Sequence, residues 1–270
     1  MRSRPFTTSS RLALIFNFLS FPTRLRHYQT SASNLRPEMP RTALLIGANR
    51  GIGLNLARAL SDQNWNVVAS IRPQTKEVND PSVQEIEAIA SKILTLDLSE
   101  EKTIAAAAEQ FGDGPLDMLI NIAGIGPEPD NWYEHTAEIL KEKFAINTVG
   151  PFLVVKHFHE SLKKAEKGVI VNISSNAGSI TMCKGEDLGY RVSKAALNMM
   201  TVTLAKEFQM NGDNIAVIAL NPGYVATRLT NFRFRDNMEE CIAGIVKVVD
   251  NIGLEQTGTF VDWRGETLPW

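Results

Sequence analysis

From Arg41 onward, short apolar runs alternate with longer stretches whose apolar residues recur at helical spacing. The runs predict seven strands: Thr42–Ile46, Asn66–Ile71, Ile93–Leu96, Leu116–Asn121, Gly168–Ser174, Asn214–Leu220 and Thr259–Val261. Several are almost continuous Val, Ile and Leu, the pattern of strands covered on both faces. Helices are predicted between them over about 51–63, 82–91, 100–110, 135–164, 188–210 and 238–250. Pro151 falls inside the fifth and should kink it or end a segment there. Strand–helix alternation of this kind specifies a parallel, doubly wound α/β sheet with right-handed crossovers. After residue 40 there is no long linker, low-complexity tract or internal repeat, so 41–270 reads as one domain.

Charge changes the picture at the N-terminus. The 270 residues carry 28 Lys plus Arg against 30 Asp plus Glu, a net of −2. Residues 1–37 hold six arginines, no lysine and no acid, and the first acid is Glu38. The other 233 residues therefore carry a net charge of −8. The same stretch is rich in Ser and Thr, and Leu12, Ile15, Phe16 and Leu19 fall on one helical face. An Arg-rich, Ser-rich, acid-free amphipathic leader over residues 1–40 is the composition of a transit peptide, with the mitochondrial matrix as destination and a cut expected after Tyr28. Two other readings stay open: a disordered extension of a cytoplasmic protein, and a signal peptide built on Leu12–Phe21. Ten apolar-rich residues are too few to span a bilayer as a helix. A balanced charge gives no reason to expect nucleic acid as a partner.

The first strand runs into Gly47-Ala48-Asn49-Arg50-Gly51-Ile52-Gly53 and then a helix. In a strand–turn–helix context such glycines let the backbone turn tightly and approach a pyrophosphate at the helix N-terminus. The second strand ends in Arg72, with no acid until Glu77. A carboxylate there would suit the ribose hydroxyl of NAD, whereas a cation suits the 2′-phosphate of NADP. Arg72 with Arg50 therefore points to NADP(H).

Tyr190 and Lys194 lie at i and i+4 near the start of a helix, where an ammonium would draw the phenol towards useful acid–base range. Ser174 and Ser175 close the fifth strand, and Asn147 sits within the preceding helix. A buried helical Asn needs hydrogen-bond partners. His157 and His159 do not share a helical face and have no metal-site partner nearby, and no metal is expected. Cys183 and Cys241 read as separate reduced thiols. The Asn172-Ile173-Ser174 sequon falls in a strand expected to be inaccessible.

With these motifs in place, residues 42–270 resemble a short-chain dehydrogenase/reductase. The matching features are the glycine turn, Asp97 after the third strand, Asn121-Ile122-Ala123-Gly124 after the fourth, the set Asn147, Ser175, Tyr190 and Lys194, and Asn221-Pro222-Gly223-Tyr224-Val225-Ala226-Thr227. The tail Gly258–Glu266 further resembles the C-factor-like carbonyl reductase branch. The resemblance implies a Rossmann-like domain with a seven-stranded parallel sheet, and NADPH-dependent reduction of a small aldehyde or ketone. It also implies the roles. Tyr190 would donate a proton to the carbonyl oxygen, Ser175 would bond that oxygen, Lys194 would lower the Tyr190 pKa and hold the ribose, and Asn147 would anchor a water relay. Gly47, Asn49, Arg50, Gly51, Ile52, Gly53, Arg72, Asp97, Asn121, Ala123, Gly124, Pro222, Gly223, Val225 and Thr227 would line the nucleotide.

The chain departs from the family pattern in two places. Ile122 replaces a second Asn, and Ser175 and Tyr190 are 15 residues apart, about two more than usual, with the extra length at Met182–Leu188. The resemblance leaves homodimer and monomer both open. It also leaves a second function open, a nucleotide-binding signalling or redox-sensing protein with little turnover.

Overall fold

Seven strands form one parallel sheet: β1 Thr42–Ile46, β2 Asn66–Ile71, β3 Lys92–Thr95, β4 Met118–Asn121, β5 Gly168–Ile173, β6 Ile215–Asn221 and β7 Phe260–Asp262. Their order across the sheet is β3-β2-β1-β4-β5-β6-β7. This is a computed structural model, and it describes residues 40–270 apart from Asn79. The leader and its expected cleavage site after Tyr28 lie outside the described residues.

Period-two alternation sends successive side chains of each strand to opposite faces. Ala43 and Leu45 of β1 join the apolar layer under α1 (Gly51–Asp62) and α8 (Met238–Asp250). Leu44 and Ile46 join the layer under α4 (Glu101–Phe111), α6 (Gly150–Lys163) and α7 (Leu188–Asn211). Both layers are drawn from residues that read as near-continuous apolar runs, which accounts for the strand pattern of the sequence. Phe158 of α6 is 1% exposed and meets Phe111 edge-to-face at 5.6 Å.

The chain crosses from β3 at one edge to β4, which pairs with β1 on its other side. Between β1 and β4 the connections leave in opposite directions, so a crevice opens at their carboxyl ends. Open α/β sheets bind ligands at such a switch point.

Three helical expectations need correction. The predicted helix over 82–91 is shorter, as α3 (Pro81–Glu87), and an additional helix, α2 (Pro73–Glu77), follows Arg72 directly. Pro at the first helical position starts both. The predicted 135–164 helix is interrupted just ahead of Pro151 rather than running through it. It begins as α5 (Ala137–Phe144), widens into a π-helical turn at Ala145–Val149, and resumes as α6 with Pro151 in its first turn. The wider turn changes the register just ahead of the proline, which then occupies a position that needs no N–H.

Gly150 lets this element lie against the loop after β3. A Cβ there would sit 2.6 Å from Leu98 Cβ and 2.8 Å from its carbonyl oxygen. Gly150→Ala should lower unfolding stability by about 1–3 kcal/mol. Gly114→Ala, with nothing within 4 Å of the new methyl, should change it by less than about 0.5 kcal/mol. Urea unfolding of both variants checks this, and equal losses would contradict the packing described.

Candidate active site

The glycine turn begins under the end of β2, where Gly47 N–H donates to Ser70 Oγ at 3.0 Å and Ala48 N–H to the Ser70 carbonyl at 3.2 Å. Two of its glycines have no room for a side chain. A Cβ on Gly47, whose φ is +88°, would lie 2.7 Å from Ala123 Cβ, and one on Gly53 would lie 2.2 Å from the Gly47 carbonyl oxygen. Ile122 and Ala123 N–H both converge on the Ile46 carbonyl, at 3.1 and 2.9 Å, which fixes the strand ends of β1 and β4 side by side. Helix α1 starts here without a side-chain cap, so its first N–H groups are free for an anion.

The expected nucleotide residues divide into two groups. Arg50 and Arg72 are exposed at the turn and at the end of β2. Gly51, Ile52, Ala123, Gly124 and Thr227 lie around the same crevice, and Thr227 Cγ2 comes 3.3 Å from the position of a Gly51 Cβ. Asp97 keeps Oδ1 on Ser99 N and Oγ, at 2.9 and 2.6 Å, with Gln74 Nε2 at 3.5 Å from Oδ2. Pro222 and Val225 are buried, and Gly223 packs so closely that a Cβ would meet Cys241 Sγ at 2.7 Å. Two polar side chains are turned into the protein. Asn49 Nδ2 donates to Ser82 Oγ at 2.8 Å, tying the turn to α3. Asn121 Nδ2 donates to Asn172 Oδ1 at 2.8 Å inside the sheet, leaving Asn121 Oδ1 without a partner among the described residues. Ile122 packs partly buried against the core.

The proton-transfer candidates do come together. Lys194 is 4% exposed, and its Nζ donates to the Ile173 carbonyl at 2.8 Å. It stands 5.8 Å from the centre of the Tyr190 ring and 3.6 Å from the position of a Gly124 Cβ. Burial holds this ammonium down to about 8. The two serines separate cleanly. Ser174 is buried and its Oγ donates to Asn198 Oδ1 at 2.5 Å. Ser175 Oγ accepts Ala177 N–H at 3.1 Å and faces the Tyr190 phenol, whose pKa it pulls down.

Tyr190 departs from expectation. Burial pushes its phenol up to about 12, Ser175 pulls it down, and Asp187 pushes it up further. Loss of water sets the shift, and Lys194, 5.8 Å from the ring centre, does not offset it. Asn147, fully buried, is also more committed than its sequence position indicates. Its Oδ1 accepts Ile125 N–H at 2.9 Å, and its Nδ2 donates to the Ile125 carbonyl at 3.2 Å and to Ser193 Oγ at 3.0 Å. The amide is a clamp between the loop after β4 and α7.

The short chain dehydrogenase family matches this chain over residues 41–238. The chain belongs to the short-chain dehydrogenase/reductase family. It is 31% identical over 252 residues to short-chain dehydrogenase RED3 of Pyricularia oryzae, covering 85% of this chain and 98% of that protein. Its fold matches the NADPH-bound carbonyl reductase from chicken fatty liver at 32% identity and a TM-score of 0.75, over 86% of this chain and 99% of that one. The carbonyl reductase Sniffer of D. melanogaster gives 28% identity and a TM-score of 0.75, over 86% and 100%. The chain is therefore an oxidoreductase of this family.

Within this family member, several buried polar residues support the site without any motif of their own. Asn172 Nδ2 donates to Thr201 Oγ1 at 2.9 Å, and Asn198 Nδ2 to the Gly178 carbonyl at 3.2 Å, so α7 is tied to β5 by amides. Ser193 Oγ donates to the Tyr190 carbonyl at 2.8 Å. Lys143, 4% exposed, donates from Nζ to the Gly126 carbonyl at 2.5 Å. His135 Nε2 accepts Gly189 N–H at 3.0 Å. Polar residues at apolar-phase positions (Asn172, Asn198, Lys143) are the one signal by which sequence could have found them. His157 and His159 instead hydrogen-bond carboxylates through Nε2, Glu101 at 3.1 Å and Asp213 at 2.9 Å.

The buried ammonium makes a testable link to stability. Its folded pKa of about 8 lies below the ordinary 10.5, so the unfolded chain binds more protons between those values. Stability from this group therefore rises with pH across that window, and its cost is fully present below it. Lys194→Met should unfold at the same or a higher temperature than the wild type at about pH 7, with the difference shrinking by about pH 9.5. A variant less stable at about pH 7 and equally so at about pH 9.5 would contradict this.

Proposed function

We propose that the protein is an NADPH-dependent carbonyl reductase that converts an aldehyde or ketone to the alcohol. The observation that carries the reading is the Ser175–Tyr190–Lys194 cluster at the same sheet edge as an uncapped helix N-terminus and two exposed arginines. The crevice fits a dinucleotide: the turn has no space for side chains at Gly47 and Gly53, which is what close approach of a pyrophosphate to backbone requires. Arg50 and Arg72 suit a 2′-phosphate. The similar chicken carbonyl reductase was solved with NADPH bound.

NADPH, when bound, supplies the hydride. The protein's part is to polarise the carbonyl and move a proton. A phenol held up at about 12 is fully protonated at neutral pH, which suits Tyr190 as the donor to the carbonyl oxygen. Ser175 would hydrogen-bond the same oxygen. Lys194, with a pKa of about 8, keeps most of its charge at neutral pH and stabilises the phenolate left by proton transfer. Asn147 has no free amide atom, so any water it holds must sit on its main-chain carbonyl. Pro151 has no N–H to return to that oxygen in α-helical register.

A cavity of about 300 Å³ lies beside the loop clamped by Asn147, lined by Ile125, Gly126, Pro127 and Leu229 with Glu128, Glu142, Lys143, Arg228 and Asn231. This mixture suits an apolar carbonyl compound with a polar end.

NADPH oxidation against a panel of aldehydes, diketones and quinones tests the proposal. The wild type should turn over at least one class. Tyr190→Phe should lose about 10²–10⁴-fold while binding NADPH normally. Equal, slow oxidation by both proteins with intact binding would refute the enzyme reading and favour a signalling role. NADPH should be preferred to NADH, and Arg72→Asp should reverse that preference.

A further inference from the structure

Three arginines approach the glycine turn. Arg50 stands in it, Arg72 follows β2, and Arg228 opens the 3-10 turn Arg228–Thr230. All three are exposed, and among the described residues none forms an ion pair. Arg228 is held there by its own backbone. Thr227 packs on the first residue of α1, with Cγ2 at 3.3 Å and Cβ at 3.7 Å from the position of a Gly51 Cβ. Thr227 N–H donates to Thr230 Oγ1 at 3.0 Å, Thr230 Oγ1 to the Val225 carbonyl at 2.8 Å, and Phe232 N–H to the Thr227 carbonyl at 2.8 Å. On the opposite side the Leu229 carbonyl oxygen lies 3.3 Å from the position of a Gly126 Cβ, and Asn231 Nδ2 donates to Glu128 Oε1 at 3.3 Å. The turn therefore bridges the start of α1 and the loop after β4.

The charges around it are out of balance. Partial burial, then Arg228, then Arg72 act against the charge on Arg50, and Asp80 alone opposes them. Asp80 is already engaged by Ser82, whose N–H it accepts at 2.9 Å as the cap of α3. Like charges fixed beside an uncapped helix N-terminus repel one another, and a bound anion relieves that repulsion.

We propose that Arg228 binds the pyrophosphate of the dinucleotide from outside the glycine turn, opposite the α1 N-terminus. This leaves the 2′-phosphate to Arg50 and Arg72. The assignment rests on the dinucleotide reading above and adds a residue that neither the glycine turn nor the proton-transfer set contains. Because the pyrophosphate is common to both nicotinamide cofactors, Arg228 contributes affinity without selecting between them.

Equilibrium binding tests this without turnover. Dissociation constants for NADPH, NADH and ADP-ribose are measured at fixed ionic strength on wild type, Arg228→Ala, Arg228→Lys and Arg72→Ala. ADP-ribose carries the pyrophosphate but neither the nicotinamide nor the 2′-phosphate. Arg228→Ala should weaken all three by a similar factor, about tenfold, and Arg228→Lys by less. Arg72→Ala should weaken NADPH alone. Unchanged binding in Arg228→Ala, or a loss confined to NADPH, would overturn the assignment. If the wild type binds none of the three, the dinucleotide reading itself fails. If it binds them and Arg228→Ala binds them equally well, only the role of Arg228 fails.

Discussion

The hydrogen bond from Lys194 Nζ to the Ile173 carbonyl, 2.8 Å long and buried, is the contact on which the candidate site depends. It joins the last residue of β5 to the second turn of α7, and so sets how far α7 stands from the sheet edge. Tyr190 lies one turn earlier on the same helix, and Ser175 lies two residues beyond Ile173, just past the strand end. One bond therefore fixes both hydroxyls relative to each other. Keeping an ammonium there costs stability, since burial depresses its pKa to about 8. The asymmetry is one found where function and folding compete for a residue.

Around that contact the protein spends amides rather than charges. Asn147, Asn172 and Asn198 each bridge two elements, and all are at most 3% exposed. A buried amide that is satisfied on both sides holds geometry without a charge that would disturb the neighbouring phenol. The crevice opposite is built by absence instead, with Gly47 and Gly53 lying where backbone and Ala123 leave no room for a methyl. The two halves meet at Gly124, whose missing side chain would meet Asn147 Oδ1 at 3.0 Å and Lys194 Nζ at 3.6 Å.

Much of this was legible in the sequence, for reasons that are local. The strands are apolar runs with no competing helical phase, and the glycine turn and the Tyr190–Lys194 spacing are contiguous. What was not legible depends on partners distant along the chain. Nothing local says that Asn147 clamps Ile125 and Ser193, or that Asn121 turns into the sheet towards Asn172. The π-helical turn just ahead of Pro151 carries no local helix signal either. The phenol's upward shift follows from desolvation, a property of the packed domain. The i, i+4 cation, read alone, pointed the other way. The family resemblance points to Ser175, and nothing local says that Asn198 takes Ser174.

The central claim is that this sheet edge directs a hydride to a carbonyl carbon while Tyr190 supplies the proton. The most direct measurement follows the label: NADPH deuterated at one face of nicotinamide C4, incubated with an aromatic aldehyde or diketone that the wild type turns over. The account predicts deuterium on the carbinol carbon of the product from one face of the cofactor only, and no labelled alcohol above background with Tyr190→Phe. Labelled alcohol formed equally well by both proteins, or cofactor consumed without label reaching the product, would contradict it.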